Sequence, residues 1–179
     1  MKSDRTIKIW IFGDSFAASK NRYAWTRLLN YQVVNRATNG SSQYRIWKAY
    51  QKAKADIGPR DKIIFCHTSY SRLYLKNTVT DLMSRWLPTH RFCDIILSDI
   101  QHKKESKFIR ILKNIWDDVY FYDNYNLLVE DLKRVPNSIH LNFFEDGAYR
   151  YVYQNHPGTI NHMDQEGNRI IGSQVSKLL

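Results

Sequence analysis

The feature that most constrains this chain is the order of its apolar segments. Ile7, Ile9 and Ile11 alternate with Lys8, Trp10 and Phe12, and Gly13 ends the run, which reads as a buried strand. Residues 23–30 carry Trp25, Leu28 and Leu29 at helical spacing, and residues 32–36 form a short strand around Val33 and Val34. The turn residues Asn39-Gly40-Ser41-Ser42 precede a helix over residues 43–55, with Ile46, Trp47 and Tyr50 on one face, which Gly58-Pro59 stops. Residues 62–66 are β-branched and aromatic, a third strand. Strand, helix, strand, helix, strand is the pattern of a parallel α/β sheet with right-handed crossovers.

The rest of the chain continues the theme. Helices are expected over residues 78–86, 106–116, 126–134 and 165–178, and strands over 94–97, 119–122 and 139–144. No repeat, linker or low-complexity tract interrupts them. The expectation is one α/β domain over residues 1–179, built on a parallel sheet.

Composition narrows the partners. Of 179 residues, 27 are Lys or Arg and 17 are Asp or Glu, a net charge of +10 that favours anionic ligands. Aromatic residues reach 14%, and some are expected at a binding surface. The two cysteines, Cys66 and Cys93, form no disulfide framework and no CxxC motif, which points to a reduced compartment. The apolar stretch at residues 7–12 is too short for a signal peptide, and no stretch is long enough to span a bilayer. A cytoplasmic protein is expected, with its oligomeric state left open.

Gly13-Asp14-Ser15-Phe16 directly follows the first strand. Ligands of an open parallel sheet bind beyond the carboxyl ends of its strands, so Ser15 stands where chemistry is expected. A serine at a helix N-terminus has backbone N–H groups beside it for an oxyanion, although the same tripeptide also suits a plain turn and helix cap. His162 lies just before the last helix, where it can reach the mouth of the first strand and accept the Ser15 proton. His156 and His162 lack a third ligand at metal-binding spacing, and neither GxGxxG nor a P-loop occurs, so no metal or nucleotide cofactor is expected. Tyr149, Tyr151 and Tyr153 alternate with Arg150 and Val152, either as a stacking surface for sugars or bases or as a strand with one face in the core.

These segments resemble the SGNH (GDSL-type) hydrolases, which open on a strand followed by Gly-Asp-Ser and close on a histidine before the terminal helix. Gly40, preceded by Asn39, matches the family's glycine block. The third block reads Cys66-His67-Thr68-Ser69-Tyr70-Ser71-Arg72, with Ser69 nearest the place of the family's asparagine. Thr-Ser followed by Arg is similar to short SGNH-like proteins of tailed bacteriophages, which would place the chain in a host cytoplasm. The resemblance implies a three-layer α/β/α sandwich with a mostly parallel, flavodoxin-like central sheet, and an esterase with Ser15 as nucleophile and His162 as base. Its oxyanion hole would be built from Ser15, Gly40, and Ser69 or Thr68, with Asp14, Asn39 and Arg72 in support. Where the family has its acid this chain has Thr159; Asp146 or a backbone carbonyl could take its place, a Ser–His pair without an acid is the alternative, and Asp164 is expected to cap the last helix. The expected substrate is an anionic ester of a carbohydrate or lipid-like molecule. The alternatives are a degenerate binding protein on the same fold, holding a glycan or nucleic acid through its basic, aromatic surface, and, more distantly, a structural or virion component.

Overall fold

In the computed structural model, β1 (Lys8–Gly13) lies at the centre of a parallel sheet, paired with β2 (Gln32–Asn35) on one side and β3 (Lys62–His67) on the other. The structure describes residues 6–18, 22–74, 95–96, 114, 117–145, 147–158 and 162–179. Beyond β3 lies β6 (Ser138–Asn142), which gives the order β2-β1-β3-β6. Two further strands, β4 (Arg72–Leu73) and β5 (Ile95–Ile96), pair antiparallel in a small separate sheet. The strand expected over residues 94–97 is therefore real in its middle, but it does not join the main sheet.

Both faces of β1 are covered, which is why almost every residue in it is apolar. Ile9 and Ile11 point to one face and pack in a core with Ile64, Cys66, Leu141, Trp25 and Ile171. Trp10 and Phe12 point to the other, with Ile63, Phe65, Ile46 and Leu132. The second core lies under α1 (Gln43–Ala53) and α2 (Asp118–Lys133). The first lies under α3 (Ala148–Asn155), α4 (Gln165–Ser176) and the 3-10 turn Trp25–Arg27. Helices on both faces of a parallel sheet make the three-layer α/β architecture that the segment order implies.

The helix starts follow capping chemistry. Ser42 accepts from the Arg45 N–H, Asp117 from Tyr120 and Asp164 from Gly167, so Asp164 caps the last helix as expected. Asp61, buried at the foot of β3, accepts from the Lys8 and Gly58 N–H groups and from Trp10 Nε1, which pins the crossover to β1.

Three expectations change. Residues 119–122 open α2 rather than forming a strand, because Asp117 caps them and Tyr125, Val129 and Leu132 continue their buried face. Residues 23–30 supply only one 3-10 turn. Tyr149, Tyr151 and Tyr153 lie on α3, so the strand reading fails: Tyr149 packs on Phe143 and Tyr153 on Phe16, while Tyr151 faces outward. The helices expected over 78–86 and 106–116 fall almost wholly outside the described residues.

Candidate active site

The chain leaves β1 for β2 on one side and crosses to β3 on the other, so the crevice at the carboxyl ends of β1 and β3 is the topological switch point. Gly13 closes β1 there because nothing larger fits. A Cβ on it would stand 2.7 Å from Cys66 Cβ and 2.9 Å from Ala17 Cβ. The next four residues form a tight turn. The Asp14 carbonyl accepts from the Ala17 and Ala18 N–H groups, and its carboxylate accepts from the Phe16 N–H at 3.0 Å. Ser15 sits in this turn, partly buried. The expected helix N-terminus is thus a turn, and the Phe16, Ala17 and Ala18 N–H groups are spent on Asp14 within it.

Phe16 links the turn to the far end of the chain. Its ring stacks on Phe143 at 5.0 Å and meets Tyr153 edge-on at 5.1 Å. The His162 ring lies 5.6 Å from it, tilted by 33°. His162 is held by a small hairpin in which Pro157 bridges Met163, and its carbonyl accepts from Gly158. Asn168 on α4 fastens the hairpin from below, donating to the Met163 and Asp164 carbonyls and accepting from the Trp25 N–H. Ser15 and His162 are thus brought to the same end of β1. Asp146 and Thr159 lie outside the described residues.

Asp14 is wholly buried, and every group around it suits a carboxylate. Thr68 Oγ1 donates to its Oδ2 at 3.0 Å, and the Arg72 guanidinium stands 3.9 Å from the same oxygen. On balance burial holds the Asp14 carboxyl above the usual carboxylate range, with Arg72, the Phe16 N–H, the Thr68 hydroxyl and His162 each offsetting part of the rise.

Gly40 follows β2 with a φ of +67°, the left-handed region that favours glycine. Thr38, two residues earlier, donates its N–H to the Gly13 carbonyl at 3.0 Å, which carries the Asn39-Gly40 turn alongside the end of β1. The third block divides its labour. Thr68 is fully buried and its one hydroxyl hydrogen goes to Asp14, so its side chain holds the turn rather than facing a ligand. Ser69 is partly exposed; its Oγ accepts from the Ser71 N–H and lies 2.7 Å from Ser71 Oγ.

Beneath this block runs a polar chain that the sequence did not reveal. The Thr68 N–H meets Gln43 Oε1, Gln43 Nε2 meets His67 Nδ1, His67 Nε2 meets His140 Nδ1, and His140 Nε2 meets Ser138 Oγ. Ser138 spends its hydrogen on the Val135 carbonyl. That fixes the direction of the whole chain: each imidazole donates through Nε2 and accepts through Nδ1, so both are neutral. Burial lowers the His67 pKa to about 3, and it lowers that of His140 as well. Among the described residues no group of three His, Cys, Asp or Glu side chains could hold a metal ion, and no helix is long and apolar enough to cross a membrane.

A scan against protein-family models finds no match to this chain, and a search of curated proteins finds none either.

Proposed function

We propose that the chain is a serine acyl hydrolase of SGNH type. The observation that carries this reading is the packing of His162 against Phe16, beside Ser15, from the opposite end of the sequence. Ser15 Oγ would attack the acyl carbon while His162 takes its proton. The Ser15 and Gly40 N–H groups, with the Ser69 hydroxyl, would hold the oxyanion. The imidazolium then protonates the leaving alkoxide, and an acyl-serine remains. A water gives His162 its proton as it attacks that ester, releasing the acid and restoring Ser15. The charge of +10 would draw an anionic ester of a carbohydrate or lipid-like molecule to this face. The rival, a degenerate binder on the same fold, would use the same surface without the covalent step.

A fluorophosphonate probe separates the two. The expected result is one adduct on Ser15 by mass spectrometry and hydrolysis of p-nitrophenyl acetate, with both lost in Ser15→Ala at unchanged stability. No adduct, or turnover equal to that of Ser15→Ala, rejects the hydrolase reading.

A further inference from the structure

Next to Ser69 opens a cavity of about 220 Å³, lined by Gln43, Tyr44, Ser69, Tyr70, Arg72 and Tyr74 with the first turns of α2. Two of its tyrosines are substantially exposed, Tyr44 at 39% and Tyr70 at 40%, and Tyr120 of α2 reaches 61%. Aromatic surface left open to water and gathered around one cavity marks a binding site more often than scattered side chains do. The rings are braced edge to face, Tyr44 on Tyr74 at 4.8 Å and Tyr70 on Tyr122 at 5.6 Å.

Arg72 gives the cavity its chemistry. Its side chain is only 10% exposed, yet its Nε–H, fully buried, has no hydrogen-bond partner among the described residues. Its acid neighbour, Asp14, stands 3.9 Å away, beyond hydrogen-bond length, and is already served by Thr68 and Phe16. The same guanidinium lines the cavity, and with its acid neighbour beyond hydrogen-bond length it keeps donor capacity for an anion held there. The guanidinium plane favours a carboxylate or phosphate taken through two oxygens. Arg45 lies 5.0 Å from the Tyr74 ring centroid and Lys48 Nζ 3.1 Å from the Tyr74 hydroxyl, so the rim is cationic too.

We infer that this cavity binds a single acidic sugar ring, its carboxylate on Arg72 and its C–H face against Tyr44 and Tyr70. The volume is below the roughly 300–1,000 Å³ of drug-sized pockets, which suits one ring rather than an oligomer. Tyrosine hydroxyls and the Ser69 side chain offer partners for the ring hydroxyls. The inference deepens the hydrolase reading by naming its substrate class, since Arg72 touches the turn that carries Ser15, but the binding itself requires no turnover.

The test is a calorimetric titration of the whole chain with methyl glucuronide, methyl glucoside and inorganic phosphate. The expected result is saturable glucuronide binding at least tenfold tighter than that of glucoside, the same in Ser15→Ala, and weakened tenfold or more in Arg72→Gln. Because Arg72→Gln removes a neighbour of buried Asp14, Tyr70→Ala, on an exposed ring, gives a second reading and should weaken binding severalfold. Equal affinity for glucoside, no saturable binding, or unchanged binding in Tyr70→Ala overturns the inference. So does phosphate binding as tightly as glucuronide, which would make the site one for a bare anion. Glucuronide binding without a fluorophosphonate adduct on Ser15 would sink the hydrolase reading and leave the acidic-sugar site standing.

Discussion

Thr68 gives its hydroxyl hydrogen to Asp14 Oδ2 across 3.0 Å, and this bond ties the carboxyl end of β3 to the turn that carries Ser15. Both residues are fully buried, so the bond has no water to replace it. Thr68→Val keeps the shape and removes the donor. A hydrogen bond to a charged group is worth about 1.5–3 kcal/mol, and a neutral one about 0.5–1.5. The variant should therefore lose about 2 kcal/mol, or roughly 4–8 °C in Tm for a chain of this size. Thr68 also holds the Asp14 carboxyl down against burial, so the loss should be larger at about pH 8 than near pH 4, where more of the carboxyl is protonated. Urea denaturation at the two pH values checks this, and equal losses would show that the bond is not made to a carboxylate.

The stacked histidines give a second pH dependence. The His67 and His140 rings lie 5.1 Å apart at 11°, and neither can gain a proton without breaking the chain from Gln43 to Ser138. His67 in the folded protein titrates at about 3 against an ordinary 6.5, so between those values the unfolded chain binds the extra proton. A depressed folded pKa means that the stabilisation is complete above pH 6.5 and is lost as pH falls toward 3. The slope should approach 1.4 kcal/mol per pH unit for His67, with His140 adding to it near the upper end. In His67→Gln the protein should be less stable at neutral pH, and the acid slope should flatten. A slope unchanged by the substitution would assign the acid sensitivity to other groups.

How much of this was legible in the sequence depends on how local each feature is. The alternation in β1, its stop at Gly13 and the turn at Asn39-Gly40 all act within a few residues, and they set the sheet and one side of the site. Residues 119–122 misled because Val, Tyr and Phe suit strands, while the helix they open declares itself only through Tyr125, Val129 and Leu132 further on. The three tyrosines of α3 fit two periods at once: Tyr149 and Tyr153 are two steps from Tyr151 but also four from each other, one turn of helix. The His67–His140 contact is non-local in the full sense. It exists because β3 and β6 pair with Phe65 opposite His140, a register set by two cores and a crossover, and no pattern near either histidine encodes it. Asp14 is legible as a supporting residue of the Ser15 turn, but its partners are not, since Thr68 and Arg72 arrive from the end of β3 and from β4.

Asn168 should matter to the site although it touches no candidate catalytic group. Its side chain joins three backbone groups, the Trp25 N–H and the Met163 and Asp164 carbonyls, and the second of these is the residue after His162. Asn168→Ala leaves buried polar groups unpaired, at about 1–3 kcal/mol for the most enclosed. The expected outcome is a lower Tm together with a fall in kcat larger than the loss of folded protein; Asn168→Asp keeps the acceptor for the Trp25 N–H but sets a carboxylate oxygen against the Met163 and Asp164 carbonyls, and should do no better than Asn168→Ala. If turnover falls only in proportion to the folded fraction, the asparagine is structural and does not position His162.

Gly13 is the most sterically committed position of the site. A methyl group there would stand 2.7 Å from Cys66 Cβ and 2.9 Å from Ala17 Cβ, with the Cys66 carbonyl oxygen at 3.1 Å. None of these atoms is the far end of a flexible side chain, so relief requires β1 and β3 to part or the Asp14 turn to shift outward. Overpacking of this kind costs about 1–3 kcal/mol. The turn is the softer of the two, because β1 and β3 are paired along five registered positions while the turn rests on the Asp14 carbonyl and carboxylate. Gly13→Ala should therefore fold, with a Tm lowered by several degrees, and should react with a fluorophosphonate at least tenfold more slowly than wild type because Ser15 has moved from His162. A variant that loses stability but labels at the wild-type rate would show that the strands, not the turn, absorb the methyl group.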